Sequence, residues 1–265
     1  MKRITPYILL ICLSPLLWSC EEVIELDLNE TQDILTIEGL VEPGQASVKL
    51  TRSVGFYEEN TFESETGATV RISDSEGNTF DLLDADGDGV YEPESWEGTP
   101  GLTYNLTVET GGETYTSRST MPTTVVSIDE IEVQDAPPGP GATDDPFSLF
   151  AYYQEPGDTQ NFYQFIITKN GEKLPDLFLV NDDLNNGIRA GVPIFTVGFS
   201  SGDTAEISLY GIDEDVFRYL NGLAVIATPN PFGNAVPADP ESNISGGALG
   251  YFSARTRHTS TLVIP

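Results

Sequence analysis

Ile34-Leu35-Thr36-Ile37-Glu38-Gly39-Leu40, then Ala46-Ser47-Val48-Lys49-Leu50-Thr51, then Ala68-Thr69-Val70-Arg71-Ile72, alternate apolar and polar residues at a period of two. Successive side chains of a strand point to opposite faces, so this alternation predicts sheets buried on one face and wet on the other. Further strands are expected over Thr79 to Leu83, Thr103 to Glu109 and Glu113 to Ser119, with turns at Glu76-Gly77-Asn78 and Gly111-Gly112. About seven short strands in about 90 residues predict an immunoglobulin-like β-sandwich over residues 34–124.

Working outward toward the C-terminus, Val125 to Val133 reads as another strand, and Ala136-Pro137-Pro138-Gly139-Pro140-Gly141 reads as a linker or a long loop. Aromatic-rich strands follow at Phe147 to Tyr153 and Phe162 to Thr168, and Pro193 to Phe199 with Ala205 to Gly211 suggests a hairpin. One helix is expected: Asp213 can cap it, Glu214 and Asp215 suit its first turn, and Val216, Phe217, Leu220, Leu223 and Ala224 recur at helical spacing, with Gly222 weakening its later part. Residues 125–265 are therefore expected to form a β-rich C-terminal domain with a Pro/Gly loop at 136–146 and one short helix. The fold class is mainly β, and composition agrees, since 25 glycines and 18 prolines favour short strands and turns over a helical bundle.

Working outward toward the N-terminus, Met1-Lys2-Arg3 supplies a positive start and Ile4 to Trp18 an apolar run of signal-peptide length, too short for a span that needs about 20 residues. The run ends Leu17-Trp18-Ser19-Cys20, which resembles a bacterial lipobox, although Trp18 is bulkier than the common pattern. Residues 1–19 are expected to be a lipoprotein signal peptide and 20–33 an acidic tether, with acyl chains on Cys20 anchoring the protein to a membrane at about 0.8 kcal/mol per buried CH₂. A plain leader with an incidental cysteine is the competing reading. Cys12 and Cys20 are the two cysteines, so no intrachain disulfide is expected in the mature chain.

The formal net charge is −30, and it becomes more negative still when Lys2 and Arg3 leave with the leader. Such a field repels phosphate backbones, which excludes nucleic acid as a partner and favours cations or basic surfaces. Solubility in a salty or crowded exterior is the leading reading of the charge.

Cys20-Glu21-Glu22-Val23-Ile24-Glu25-Leu26-Asp27-Leu28, Leu35-Thr36-Ile37-Glu38-Gly39, Gly67-Ala68-Thr69-Val70, Gly101-Leu102-Thr103-Tyr104, Ser242-Asn243-Ile244-Ser245-Gly246-Gly247 and a turn at Gly250-Tyr251-Phe252 stand in an order that resembles a Bacteroidota lipoprotein family, domain of unknown function 4249. The resemblance implies export signalling by Glu21 and Glu22, which follow the lipidated cysteine, and hence display at the cell surface of the outer membrane. An acidic tether facing the periplasm is the alternative. It also implies, by genomic association alone, a TonB-dependent outer-membrane receptor as partner, and it brings no activity and no ligand with it.

The sharpest local motif is Asp84-Ala85-Asp86-Gly87-Asp88-Gly89, a D-x-D-x-D-G calcium loop. Carboxylates on alternate residues of a tight loop can converge on one ion, Val90 could add a carbonyl, and Glu92 or Glu94 could close the shell. An EF-hand is excluded, because its twelfth position is Ser95 and Pro93 breaks any exiting helix. A hairpin turn built from Asp and Gly for turn geometry competes with calcium.

Gly198-Phe199-Ser200-Ser201-Gly202 matches G-x-S-x-G, with Asp239 and His258 following in hydrolase order. The context fails, since a nucleophile elbow joins a strand to a helix whereas Ser200 lies between two expected strands, and His258 sits in a polar stretch where a solvated side chain is the default. Phe147, Phe150, Tyr152, Tyr153, Phe162, Tyr163 and Phe165 could form a binding platform, although most alternate with apolar neighbours as core residues do. The leading expectation is a non-catalytic surface lipoprotein, a binding or accessory module of an outer-membrane transporter. A structural or adhesive envelope protein with an acidic, calcium-binding surface is second, and a hydrolase third.

Overall fold

The computed structural model describes residues 34–53, 62–137, 145–157, 159–175, 177–227 and 240–265. The alternating segments become β1 (Leu35–Glu42), β2 (Gln45–Arg52), β4 (Thr69–Asp74), β5 (Thr79–Leu83), β7 (Thr103–Thr110) and β8 (Glu113–Thr120), with β3 (Glu63–Ser64) and β6 (Val90–Pro93) added between them. β6 lets the sheet turn from one layer to the other: Val90 and Tyr91 pair with β2, Glu92 and Pro93 with β5. The expected turn at 76–78 is closed by Asp74, whose carboxylate accepts from the Glu76 and Asn78 amides and the Asn78 side chain at 2.8–3.0 Å. Leu35, Ile37 and Val41 point into the core with Val48, Leu50, Val70, Ile72, Leu106 and Val108.

Gly39 occupies an inward position in that series, and a side chain there would leave no room for what fills the gap. The ring of Phe252 does so, lying 2.6 Å from where a Gly39 Cβ would stand. Phe252 belongs to β16 (Leu249–Ala254), which pairs in parallel with β1, placing Phe252 opposite Gly39. The segment also reaches the far edge of the sheet, where Ser117 bridges Ile244, Ser117 Oγ donates to the Asn243 carbonyl at 2.7 Å and Ser119 Oγ accepts from the Ala254 amide at 2.8 Å. Gly250-Tyr251-Phe252 is therefore not a turn but the strand that closes the first sandwich. A division of the chain at residue 125 would assign this strand to the other half, whereas its side chains pack in the first core.

The second half packs a sheet of β9 (Ile128–Asp135), β10 (Phe147–Gln154) and β14 (Arg189–Phe199) against one of β11 (Phe162–Lys169), β12 (Glu172–Lys173), β13 (Phe178–Asn181), β15 (Thr204–Ile212) and β17 (Thr256–Val263). The Pro/Gly run joins β9 to β10, with the Ala136 amide donating to the Pro146 carbonyl at 2.8 Å, and its centre lies outside the described residues. The expected hairpin of 193–199 with 205–211 does not form: β14 pairs with β10, while β15 pairs with β11 and β17 in the other sheet. The polar stretch at 256–259 is likewise part of β17, whose exposed alternate residues hid it from an apolar pattern, while Arg255 lies between β16 and β17.

Between β15 and β17 the chain leaves the second sandwich through α1 (Glu214–Ala227), the sole helix among the described residues, and then through β16. Asp213 caps the helix by accepting from the Val216 amide at 2.9 Å, and burial pushes its carboxyl pKa up. α1 packs on β11, β13 and β16. Where the chain returns, Arg255 is buried with Glu42 at 2.5 Å and lies 4.1 Å from the centre of the Tyr210 ring, while Arg257 stands 3.3 Å from the second Glu42 oxygen. The molecule is mainly β, an immunoglobulin-like sandwich followed by a β-rich half with one helix.

Candidate functional site

The loop between β5 and β6 brings the three expected aspartates together. One carboxylate oxygen from each of Asp84, Asp86 and Asp88 lies within 4.8 Å of the others. Oxygens bound to one calcium at 2.3–2.6 Å stand no more than about 5 Å apart, so the cluster fits a single ion of that size. The backbone shapes it: Asp84 Oδ1 accepts from the Gly87 amide at 2.8 Å and the Asp88 amide at 3.2 Å, and Asp88 Oδ1 accepts from the Val90 amide at 2.8 Å. These bonds also define an Asx-type turn, so the loop geometry serves both readings of the motif.

Val90 and Glu92 are held by β6 and line, with Asp86, Asp88 and Glu94, an open cavity of about 590 Å³ beside the cluster. If calcium enters, Asp84, Asp86 and Asp88 would hold it, with Val90 and Glu92 flanking the opening. Its chemistry would be structural, neutralising carboxylates that otherwise repel. Cys20, Glu21 and Glu22 lie outside the described residues.

The Ser200 motif is not assembled into a triad. Ser200 sits in the turn that crosses between the two sheets, and its hydroxyl donates to Asp145 Oδ1 at 2.8 Å. Lys169 Nζ stands 3.0 Å from Asp145 Oδ2 and 3.1 Å from Asp203 Oδ2, which ties the turn down as an ionic cluster. His258 is in β17 opposite Leu209, five positions along β15 from Thr204, or roughly 16 Å at strand rise. It is half-buried rather than solvated, and its Nδ1 accepts from the Ile128 amide at 3.1 Å, stitching β17 to β9. Asp239 lies outside the described residues.

The aromatic group divides by face. Tyr153, Tyr163 and Phe165 are fully buried in the second core, and Phe147 and Phe162 are half-buried. Phe150 and Tyr152 instead point out of the β9–β10–β14 sheet, where they meet Phe195 and Arg189. Those two partners lie on β14, and only the pairing of that strand with β10 brings them there.

Against known proteins, residues 21–261 match the domain of unknown function DUF4249. The chain belongs to this family. No curated protein matches the DUF4249 chain. Among solved structures, a two-domain fibronectin type-III segment of chicken tenascin is similar over 68% of this chain and 91% of that one, at 12% identity and a TM-score of 0.23. The chicken interferon gamma receptor alpha chain is similar over 68% and 89% respectively, at 9% identity and a TM-score of 0.20.

Proposed function

We propose that this DUF4249 protein is a lipid-anchored, surface-exposed outer-membrane protein that works without catalysis, as a binding or accessory partner of a TonB-dependent transporter. The observation that carries this reading is the run Leu17-Trp18-Ser19-Cys20-Glu21-Glu22, a lipobox-like end to an apolar leader followed at once by acidic residues. The separation of Ser200 from His258 and the use of Ser200 to fix a turn support a non-catalytic role. Affinity capture of the tagged, lipidated protein from its native outer membrane, set against a Cys20→Ala control, tests the reading. A transporter recovered in near-equal amount supports it, and no stoichiometric membrane partner overturns it.

The second reading, a structural or adhesive envelope protein with a calcium-stiffened acidic surface, is favoured by the convergence of Asp84, Asp86 and Asp88. An extracellular-type site with a Kd of about 10⁻⁴–10⁻³ M would stabilise the fold by about 1–3 kcal/mol at about 10 mM calcium. The melting temperature should rise with calcium, and Asp86→Ala with Asp88→Ala should abolish the rise. A rise that survives both substitutions would place calcium elsewhere.

A further inference from the structure

We infer that the outward face of the β9–β10–β14 sheet binds an extended, basic segment of a partner protein, which inserts an arginine or lysine between Phe150 and Glu132. The face already displays this kind of contact once, with a cation of its own. Tyr152 on β10 stands in register with Glu130 on β9, and the Arg189 guanidinium of β14 lies 4.3 Å from the Tyr152 ring centre and 2.5 Å from the Glu130 carboxylate. One cation there satisfies a ring face and a carboxylate together.

Two residues earlier on β10, Phe150 stands in register with Glu132, which repeats the ring and the carboxylate; that carboxylate accepts one hydrogen bond from the Tyr152 hydroxyl at 3.0 Å and keeps acceptor sites for a cation. On its other side β14 brings Pro193 instead of a cation. Phe195, 40% exposed, packs edge-on against Phe150 at 5.1 Å and widens the apolar surface around the second pair. Gly191 keeps the face low, because a Cβ there would stand 2.6 Å from the Tyr152 ring, which lies across that strand. Among the described residues the one helix, α1, packs instead on β11, β13 and β16.

Charge selects the occupant. With Glu130 paired to Arg189, the Glu132 carboxylate and a chain of net charge −30 favour a cationic ligand and repel an anionic one. Arg189 already fills the Tyr152 pair, so the open seat takes one cationic side chain, and the next same-face side chain of an extended segment falls roughly 6.6 Å away. The inference deepens the binding reading above by naming the partner's chemistry. Affinity capture can fail for want of an anchor or a transporter while this contact stands, so the two failures are distinguishable.

The test is calorimetric titration of the full-length protein in detergent micelles with the peptide acetyl-Thr-Arg-Thr-Arg-Thr-amide and with its citrulline counterpart, which keeps the shape and loses the charge. The arginine peptide should bind at least about tenfold more tightly than the citrulline peptide. Phe150→Ser combined with Phe195→Ser should weaken it about tenfold, and Glu132→Gln, which removes the charge but keeps an oxygen for the Tyr152 hydroxyl, should weaken it about threefold. Leu184→Ser, at a 91% exposed position elsewhere, should change nothing. Equal binding by Glu132→Gln and by wild type would reduce the effect to diffuse attraction and overturn the inference. So would no binding by the wild type, or binding of a neutral oligosaccharide that needs Phe150 and Phe195 while the peptide does not.

Discussion

The two sandwiches solve the problem of closure differently. The second is built from strands of its own half, β10 pairing with β14 and β11 with β15, apart from one excursion between β15 and β17. The first has a gap in its core at Gly39, and that excursion fills it with Phe252 on β16. Each half therefore depends on the other, because the second gives up the stretch between two of its paired strands to complete the first. Covalent order and core membership diverge here, and a boundary near residue 124 separates the sequences without separating the cores.

Phe252→Ala should have the largest effect, since it empties a fully buried site that no neighbour can collapse into without moving β1. A cost of about 3–5 kcal/mol is expected, read from the urea midpoint of Trp96 fluorescence. Phe165→Ala in the second core should cost a similar amount. If β16 couples the halves, both variants lower one shared transition. A Phe252→Ala protein whose second sandwich keeps wild-type hydrogen-exchange protection would break the comparison and make the halves independent.

Next is the junction, where Glu42 and Arg255 face each other with side chains only 6% and 9% exposed. Removing one partner strands a buried charge, so Glu42→Ala should cost about 3 kcal/mol. Glu42→Leu together with Arg255→Met should recover most of that loss in the same unfolding assay. A double variant as unstable as the single one would mean that the pair orients the crossing and does more than neutralise itself.

The second sandwich has its own buried acid. Glu155, at the end of β10, accepts from the Asn161 side chain at 2.9 Å, the Tyr163 hydroxyl at 3.0 Å and the Gly187 amide at 2.9 Å. Burial comes first in pushing the Tyr163 hydroxyl pKa up, and the bond to Glu155 adds to it. Glu155→Gln sets an amide donor against one of these donors and should cost about 1–3 kcal/mol, with faster amide exchange at Gly187. Exchange unchanged at Gly187 would show that the loop holds without the carboxylate.

Strands whose apolar residues alternate were legible one by one, because their burial pattern is local. β16 was not: six residues with Gly250 among them carry no clear period, and their partner strand lies at the other end of the chain. The available signal was indirect. A glycine at an inward position of an otherwise apolar series, as at Gly39, leaves a space that something distant has to fill. The Asp84 loop was legible because its ligand spacing is local, whereas the Phe150 face needed Arg189 and Phe195, placed there only by the β10–β14 register.

The smallest effect should come from the ionic turn at Ser200, and its pH dependence separates charge from packing. The Asn170 side chain, the Ser200 amide and the Lys169 ammonium hold the Asp203 carboxyl down at about 2, against an ordinary 3.8. Asp145 is also held low, by the Ser200 hydroxyl first and by Lys169 next. Burial works against the charge on Lys169, but Asp145 and Asp203 outweigh it and raise its pKa. Carboxyls with depressed values contribute stability that is present above the unfolded pKa and lost as pH falls through the folded one. Lys169→Met should therefore be less stable than wild type near neutral pH, and the difference should shrink as pH falls from 3.8 toward about 2. The Lys169 ammonium also lies 5.5 Å from the centre of the Phe199 ring, where the methionine stem can still pack. A difference that persists unchanged at pH 2 would assign the role of Lys169 to that packing and not to its two carboxylates.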